Sequence, residues 1–124
     1  MATSAYQVVE KFEETISEYA GSKYAVAVES CSAALFLCCL YKQVREVTIP
    51  HKTYPSVPCS IINAGGTVKF SRETWQGVYE LAPYGIWDGA LRFKRGMYNG
   101  GLHCLSFHAK KLLPIGRGGM ILTD

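Results

Sequence analysis

Apolar and acidic residues alternate with a helical period at the start of the chain. Within residues 4–20 the apolar positions are Val8, Val9, Phe12, Ile16 and Tyr19, with glutamates on the other side. Intervals of three and four residues predict an amphipathic helix. Ser4 suits the N-cap of this helix, and Gly21 follows its last periodic residue, where a C-terminal glycine is expected.

Short apolar runs and helical segments follow one another along the rest of the chain. The runs predict strands at Lys23–Val28, Glu46–Ile49, Thr67–Phe70, Tyr84–Trp87, from Leu102 onward, and at Met120–Thr123. Two longer apolar segments, 33–41 and Pro55–Ala64, predict helices between the first three strands. Residues 71–84 have no period and predict no element. The alternation predicts an α/β fold with a mainly parallel sheet and flanking helices.

The composition is that of one folded domain. Of the 124 residues, 48% are apolar and 19% are charged, which excludes a disordered chain. The length suits a single domain rather than two. The net charge is +3, and the Lys and Arg residues are scattered along the sequence, so they do not indicate a surface for nucleic acid. The basic cluster at 92–95 fits a solvated loop.

Cysteine placement indicates a reducing compartment. The five cysteines lie inside apolar runs and show no C-x-x-C spacing, so buried free thiols are expected rather than disulfides or a zinc site. No apolar run reaches the length of a membrane span, and the charged N-terminal segment does not resemble a secretory signal. We therefore expect a cytoplasmic protein.

Reactive side chains come just after the predicted strands, at 29–32, 51–54, Asp88 and Ser106–Lys111. In open parallel sheets, ligands bind at the carboxyl ends of the strands, so these turns are expected on one edge. Each turn also has a plainer explanation. The serines at 29–32 and Asp88 would serve as helix N-caps, and residues 102–119 would form a basic surface loop.

Taken together, these residues have the chemistry that pyridoxal 5′-phosphate requires. Ser30–Ser32 would place backbone N–H groups of a helix N-terminus around a phosphate, and Tyr54 would stack on a ring. Asp88 would keep the pyridine nitrogen protonated, and Lys111, near Ser106, would hold the cofactor covalently. A metal site from His51, His103 and His108 is disfavoured, because the histidines lack ligand spacing.

The chain resembles the DegT/DnrJ/EryC1/StrS family. Three groups of segments carry the resemblance: FEE at 12–14 with YAGSKYAVAV at 19–28 and ESCSAAL at 29–35; IPHKTY at 49–54 with AGGTV at 64–68; and SFHAKKL at 106–112 with GGMILTD at 118–124. The family consists of pyridoxal-phosphate-dependent sugar aminotransferases of the aspartate aminotransferase fold (fold type I). The resemblance extends over nearly the whole chain.

The resemblance implies a role for each candidate residue. Lys111 corresponds to the lysine that carries the cofactor, with Lys110 as the alternative, and Asp88 corresponds to the acid on the pyridine nitrogen. The remaining cofactor contacts implied are Ser30, Cys31 and Ser32 in the phosphate turn, Ser106 on the phosphate, and Tyr54 against the ring.

Four departures from the family pattern accompany the resemblance. Cys31 replaces the usual glycine of the phosphate turn, and Leu91 stands where the family often has glutamine. Residues 71–87 take the place of a further strand and helices, so one βα piece is expected to be missing or rebuilt. The sequence given ends at Asp124, before the family's remaining large-domain residues and its C-terminal small domain.

These observations give one set of expectations. Residues 1–124 are expected to form a single, partial cofactor-binding large domain without the small domain. The function implied is amino transfer to a keto-sugar nucleotide from a donor such as glutamate, within a homodimer or higher oligomer. The alternative is a folded, non-catalytic fragment that oligomerises and at most binds pyridoxal phosphate or phosphate. Whether this chain alone is an enzyme is left open.

Overall fold

The computed structural model describes residues 5–107 and 118–124. In chain order the described elements are α1 (Ala5–Ala20), β1 (Tyr24–Val28), α2 (Cys31–Lys42), β2 (Glu46–Pro50), α3 (Ser56–Asn63), β3 (Thr67–Ser71), β4 (Tyr79–Leu81), β5 (Ile86–Asp88), β6 (Leu102–Ser106) and β7 (Gly119–Thr123). Every predicted helix and strand has a counterpart here. None of the described helices is both long and apolar enough to cross a bilayer.

The sheet is mixed. Five strands are hydrogen-bonded in the order β1-β7-β6-β5-β4, and β2 and β3 form a separate parallel pair. The β5–β6 pairing is also parallel, whereas β1–β7, β6–β7 and β4–β5 are antiparallel. A bridge between Thr48 and Ala82 connects β2 to the end of β4. The predicted α/β class is confirmed, and the described strands make the sheet mixed where a mainly parallel one was expected.

The antiparallel β4 lies in the stretch for which the sequence predicts no element. Residues 82–85 connect β4 to β5, and they are too few for the crossover that a parallel neighbour needs. The strand predicted at Tyr84–Trp87 begins two residues later, at Ile86, because residues 83–85 form the turn. The stretch 71–87 is therefore rebuilt around a strand of three residues.

The two faces of the sheet bury different helices. In β6, Cys104 belongs to the core cluster that includes α2 and α3, whereas its neighbour Leu105 belongs to the cluster under α1. This alternation follows from the two-residue period of a strand. In α1 the buried apolar residues are Ile16 and Ala20, while Val8 is 58% exposed, so the predicted apolar stripe is covered only in its second half.

None of the five cysteines, all of which lie within the described residues, forms a disulfide, and four of the five are buried. The exception is Cys59 on α3, which is exposed although it lies in an apolar run. Its position on the outer side of a short helix explains this difference from the expectation. Burial raises the pKa of Cys39 to about 11, so that this thiol stays protonated at neutral pH.

Candidate functional site

The first part of the site is the N-terminus of α2. Ser30 is the N-cap, with an extended backbone, and its hydroxyl accepts a hydrogen bond from the Ala33 N–H at 3.0 Å. The N-cap role expected for this serine is therefore confirmed. The arrangement also gives the turn the amide-rich end of a twelve-residue helix, where the partial positive charge favours anions.

Ser106 lies near this turn because both are next to Gly119, the first residue of β7. It is the last residue of β6 and lies opposite Gly119 in the register of β6 and β7. A Cβ on Gly119 would lie 2.5 Å from the Ser30 carbonyl carbon and 2.7 Å from the Cys31 nitrogen. Only glycine permits this approach, which brings the end of β6 and the start of α2 together.

Asp88 supplies a buried carboxylate beside the same helix. It ends β5 and is 5% exposed. Its Oδ1 accepts a hydrogen bond from the Ala90 N–H at 3.0 Å, and the Cys31 thiol donates to the same oxygen at 3.8 Å. Since the residues after Asp88 form a turn and not a helix, its alternative role as an N-cap is wrong.

Tyr79 makes the shortest contact of the site and was not predicted. Its hydroxyl donates to Asp88 Oδ2 at 2.6 Å, and the two residues are direct cross-strand partners in β4 and β5. Burial, and then the negative charge of Asp88, raise the pKa of Tyr79 far above its usual value. The hydroxyl therefore stays protonated and donates its hydrogen bond to the carboxylate.

An aromatic cleft opens in front of this carboxylate. The Tyr79 ring packs on Trp75 with centroids 4.6 Å apart, and the Trp75 indole N–H donates to the Lys52 carbonyl at 2.8 Å. The cleft is lined by Tyr54, Trp75, Gly77, Tyr79, Asp88, Ala90 and Leu91. Two predicted site residues, Tyr54 and Asp88, thus border one space, and Tyr54 is 56% exposed there.

The other predicted residues divide into two groups. Ser32 is half-buried in the first turn of α2, and its carbonyl accepts a hydrogen bond from the Ser60 hydroxyl at 3.3 Å. Lys111, its alternative Lys110, and His108 lie outside the described residues. Of the seven predicted site residues, all except Lys111 therefore have a described position. Trp75 and Tyr79 were not predicted, because Trp75 lies outside any helix or strand and Tyr79 lies in a strand of three residues, which is too short to show a period.

Comparison with known proteins agrees with this architecture. The model of the DegT/DnrJ/EryC1/StrS aminotransferase family matches residues 1–76. The spore coat polysaccharide biosynthesis protein SpsC of Bacillus subtilis (strain 168) is 39% identical over 66 residues, which are 51% of this chain and 17% of SpsC.

Solved structures share the fold. An aminotransferase from Psychrobacter cryohalolentis superimposes with a TM-score of 0.76 at 21% identity, over 95% of this chain and 42% of the other. DesI, solved in the presence of its TDP-sugar product, gives a TM-score of 0.73 at 20% identity, over 94% and 41% of the two chains. The chain thus spans less than half of these relatives, and the fold type I architecture is confirmed.

The described residues fit the family's cofactor, pyridoxal phosphate. A carboxylate has about four lone-pair sites and Asp88 meets three donors, so it can accept one further hydrogen bond, for which a protonated ring nitrogen is a suitable donor. The Gly119 contact keeps the helix N-terminus beside Asp88, so an anion-binding end and a carboxylate lie at one place. Tyr54, Trp75 and Tyr79 line the cleft, and aromatic side chains are the kind that stack on a flat ring.

Proposed function

Because the chain belongs to the DegT/DnrJ/EryC1/StrS aminotransferase family, we propose that it is the cofactor-binding part of an aminotransferase that acts on keto-sugar nucleotides. The observation that carries this proposal is the buried Asp88 carboxylate between an aromatic cleft and the N-terminus of α2. The similarity to DesI, solved with a TDP-sugar product, supports a sugar nucleotide as substrate.

Each residue has a task in this proposal. Bound pyridoxal phosphate supplies the carbonyl that exchanges the amino group and a ring that withdraws electrons. Asp88 accepts a hydrogen bond from the ring nitrogen and keeps its proton in place. The turn Ser30-Cys31-Ser32 and Ser106 bind the phosphate, and Tyr54 covers one face of the ring. Lys111 holds the cofactor, and its Nζ moves the proton of the amino donor, with Lys110 as the alternative.

The partners proposed are an amino donor, a keto-sugar nucleotide and a second copy of this chain. Exposed apolar side chains on β1 and α2, among them Tyr24, Val26 and Leu40, support a homodimer. Sedimentation equilibrium should then give twice the monomer mass. The cytoplasm is the proposed compartment, in keeping with free thiols.

Titration with pyridoxal phosphate tests the cofactor role. The wild-type protein should develop the absorption band of a lysine-bound cofactor, and reduction with borohydride followed by peptide mapping should place the label on Lys111. Lys110→Ala, the matched control, should keep the band, and Lys111→Ala should lose it. A band that survives Lys111→Ala moves this role to Lys110, whereas no band in the wild type rejects cofactor binding.

Activity requires a separate measurement. Incubation with glutamate and pyridoxal phosphate should release the keto acid if the described part of the site and Lys111 suffice for the first half of the reaction. Cofactor binding without keto acid would favour the non-catalytic alternative for this chain. Addition of keto-sugar nucleotides of different sugars would then identify the acceptor.

A further inference from the structure

Tyr79 reaches Asp88 only because β4 runs antiparallel to β5. In the β4–β5 register the first residue of β4 lies opposite the last residue of β5. A parallel strand in the same place would bring its own C-terminal end to Asp88. The stretch 71–87 therefore brings the side chain of Tyr79 to the site.

Hydrogen bonds hold both oxygens of the Asp88 carboxylate. Tyr79 donates to Oδ2 at 2.6 Å and the Ala90 N–H donates to Oδ1 at 3.0 Å. Both Tyr79 and Asp88 are 5% exposed, so water does not compete for these bonds. The Cys31 thiol is a third donor, to Oδ1 at 3.8 Å. A carboxylate has about four lone-pair sites, so acceptor capacity remains after these three donors.

We propose that Tyr79 is a positioning residue that holds the Asp88 carboxylate oriented toward the cleft for the ring nitrogen of pyridoxal phosphate. This inference rests on the proposed function. The Tyr79 ring is itself held by Trp75, which the Lys52 carbonyl anchors. The hydroxyl donates at every physiological pH, because burial and the Asp88 charge keep it protonated.

The test compares two ligands that differ only at the ring nitrogen. One is pyridoxal phosphate, and the other is its analogue with a carbon atom in place of that nitrogen. Tyr79→Phe should bind pyridoxal phosphate about tenfold more weakly than the wild type and the analogue equally well, because only the first ligand uses the oriented carboxylate. Dissociation constants from equilibrium titration give this ratio without any activity measurement.

Tyr84→Phe is the matched control. The Tyr84 hydroxyl accepts a hydrogen bond from the Arg45 N–H at 2.8 Å, at the opposite end of β4 from Tyr79. Removal of this hydroxyl should leave both dissociation constants unchanged. If Tyr79→Phe weakens the two ligands equally, or weakens neither, the positioning role is overturned while the proposed function stands. If the wild type binds no pyridoxal phosphate, both fail.

A measurement on the wild type covers the case in which Tyr79→Phe does not fold. The Tyr79 hydroxyl proton, buried and in a short hydrogen bond, should give a slowly exchanging NMR resonance. Pyridoxal phosphate should shift this resonance and the analogue should not. An identical shift with both ligands would contradict the inference.

Discussion

Residues 5–71, the N-terminal region, form six elements of 5 to 16 residues, whereas residues 72–107, the site region, contain only three strands of 3 to 5 residues. All described helices lie in the N-terminal region. Five glycines in the site region, at 77, 85, 96, 100 and 101, have positive φ angles, which mark its turns. The comparison separates structure specified by local periodicity from structure specified by contacts between distant residues.

The site region is attached to the N-terminal region by individual contacts. The Thr48–Ala82 bridge, the Trp75–Lys52 hydrogen bond and the Arg45–Tyr84 hydrogen bond connect it to β2 and to the residues that flank β2 on both sides. Beneath them, Leu81 and Ile86 share one core cluster with α2. We infer that the site region holds its shape only while the N-terminal region is folded.

The substitution with the largest expected effect tests whether the site region depends on the folded N-terminal region. Leu35 on α2 is 2% exposed in the shared core, so Leu35→Ala should lower the free energy of unfolding by about 2–5 kcal/mol. Both tryptophans lie in the site region and all described helices in the other. Tryptophan fluorescence and far-UV circular dichroism in urea should therefore report one coincident transition in the wild type and in the variant.

Leu37→Ala is the control for this substitution. Leu37 lies on the same helix but is 45% exposed, so its loss should change the free energy of unfolding by only about 0.5 kcal/mol. Two separate transitions, with fluorescence lost first, would show that the site region unfolds independently and would contradict the dependence.

The same division explains what the sequence could and could not predict. Ile16 and Ala20 follow a helical period, and Ser30 marks a helix start, so α1 and α2 are predicted within a few residues. Asp88 is recognisable because it directly follows an apolar strand. Its donor Tyr79 is not, since the pairing that joins them depends on a chain reversal at residues 82–85 and not on any local period.

A smaller effect on stability is expected from the loss of one of the contacts that attach the site region to the N-terminal region. Trp75→Phe keeps an aromatic ring against Tyr79 but removes the N–H that donates to Lys52. The free energy of unfolding should fall by about 1 kcal/mol, the usual value of one hydrogen bond. Amide hydrogen exchange should accelerate in residues 72–81 and remain unchanged in α1 and β1, because the attachment is local. Equal acceleration in both regions would contradict a local attachment.

The smallest effect concerns a buried imidazole of the site region. His103 is 3% exposed and packs on Trp87 and Tyr98, with its Nε2 2.9 Å from Asn99 Oδ1. Within the described residues its Nδ1 has no hydrogen-bond partner, so a second proton would lack an acceptor. Burial lowers the pKa of His103 below its ordinary value of 6.5, and a hydrogen bond from the imidazole to the Gly100 backbone opposes this only in part.

The sign of the pH dependence follows from this lowered pKa. Below pH 6.5 the unfolded chain binds a proton at His103 that the folded chain does not, so stability decreases as the pH falls through this value. His103→Phe keeps a ring against Trp87 and should flatten the dependence below pH 6.5, in urea unfolding measured at several pH values. An unchanged slope in His103→Phe would mean that this imidazole gains its proton in the folded protein as readily as in the unfolded chain.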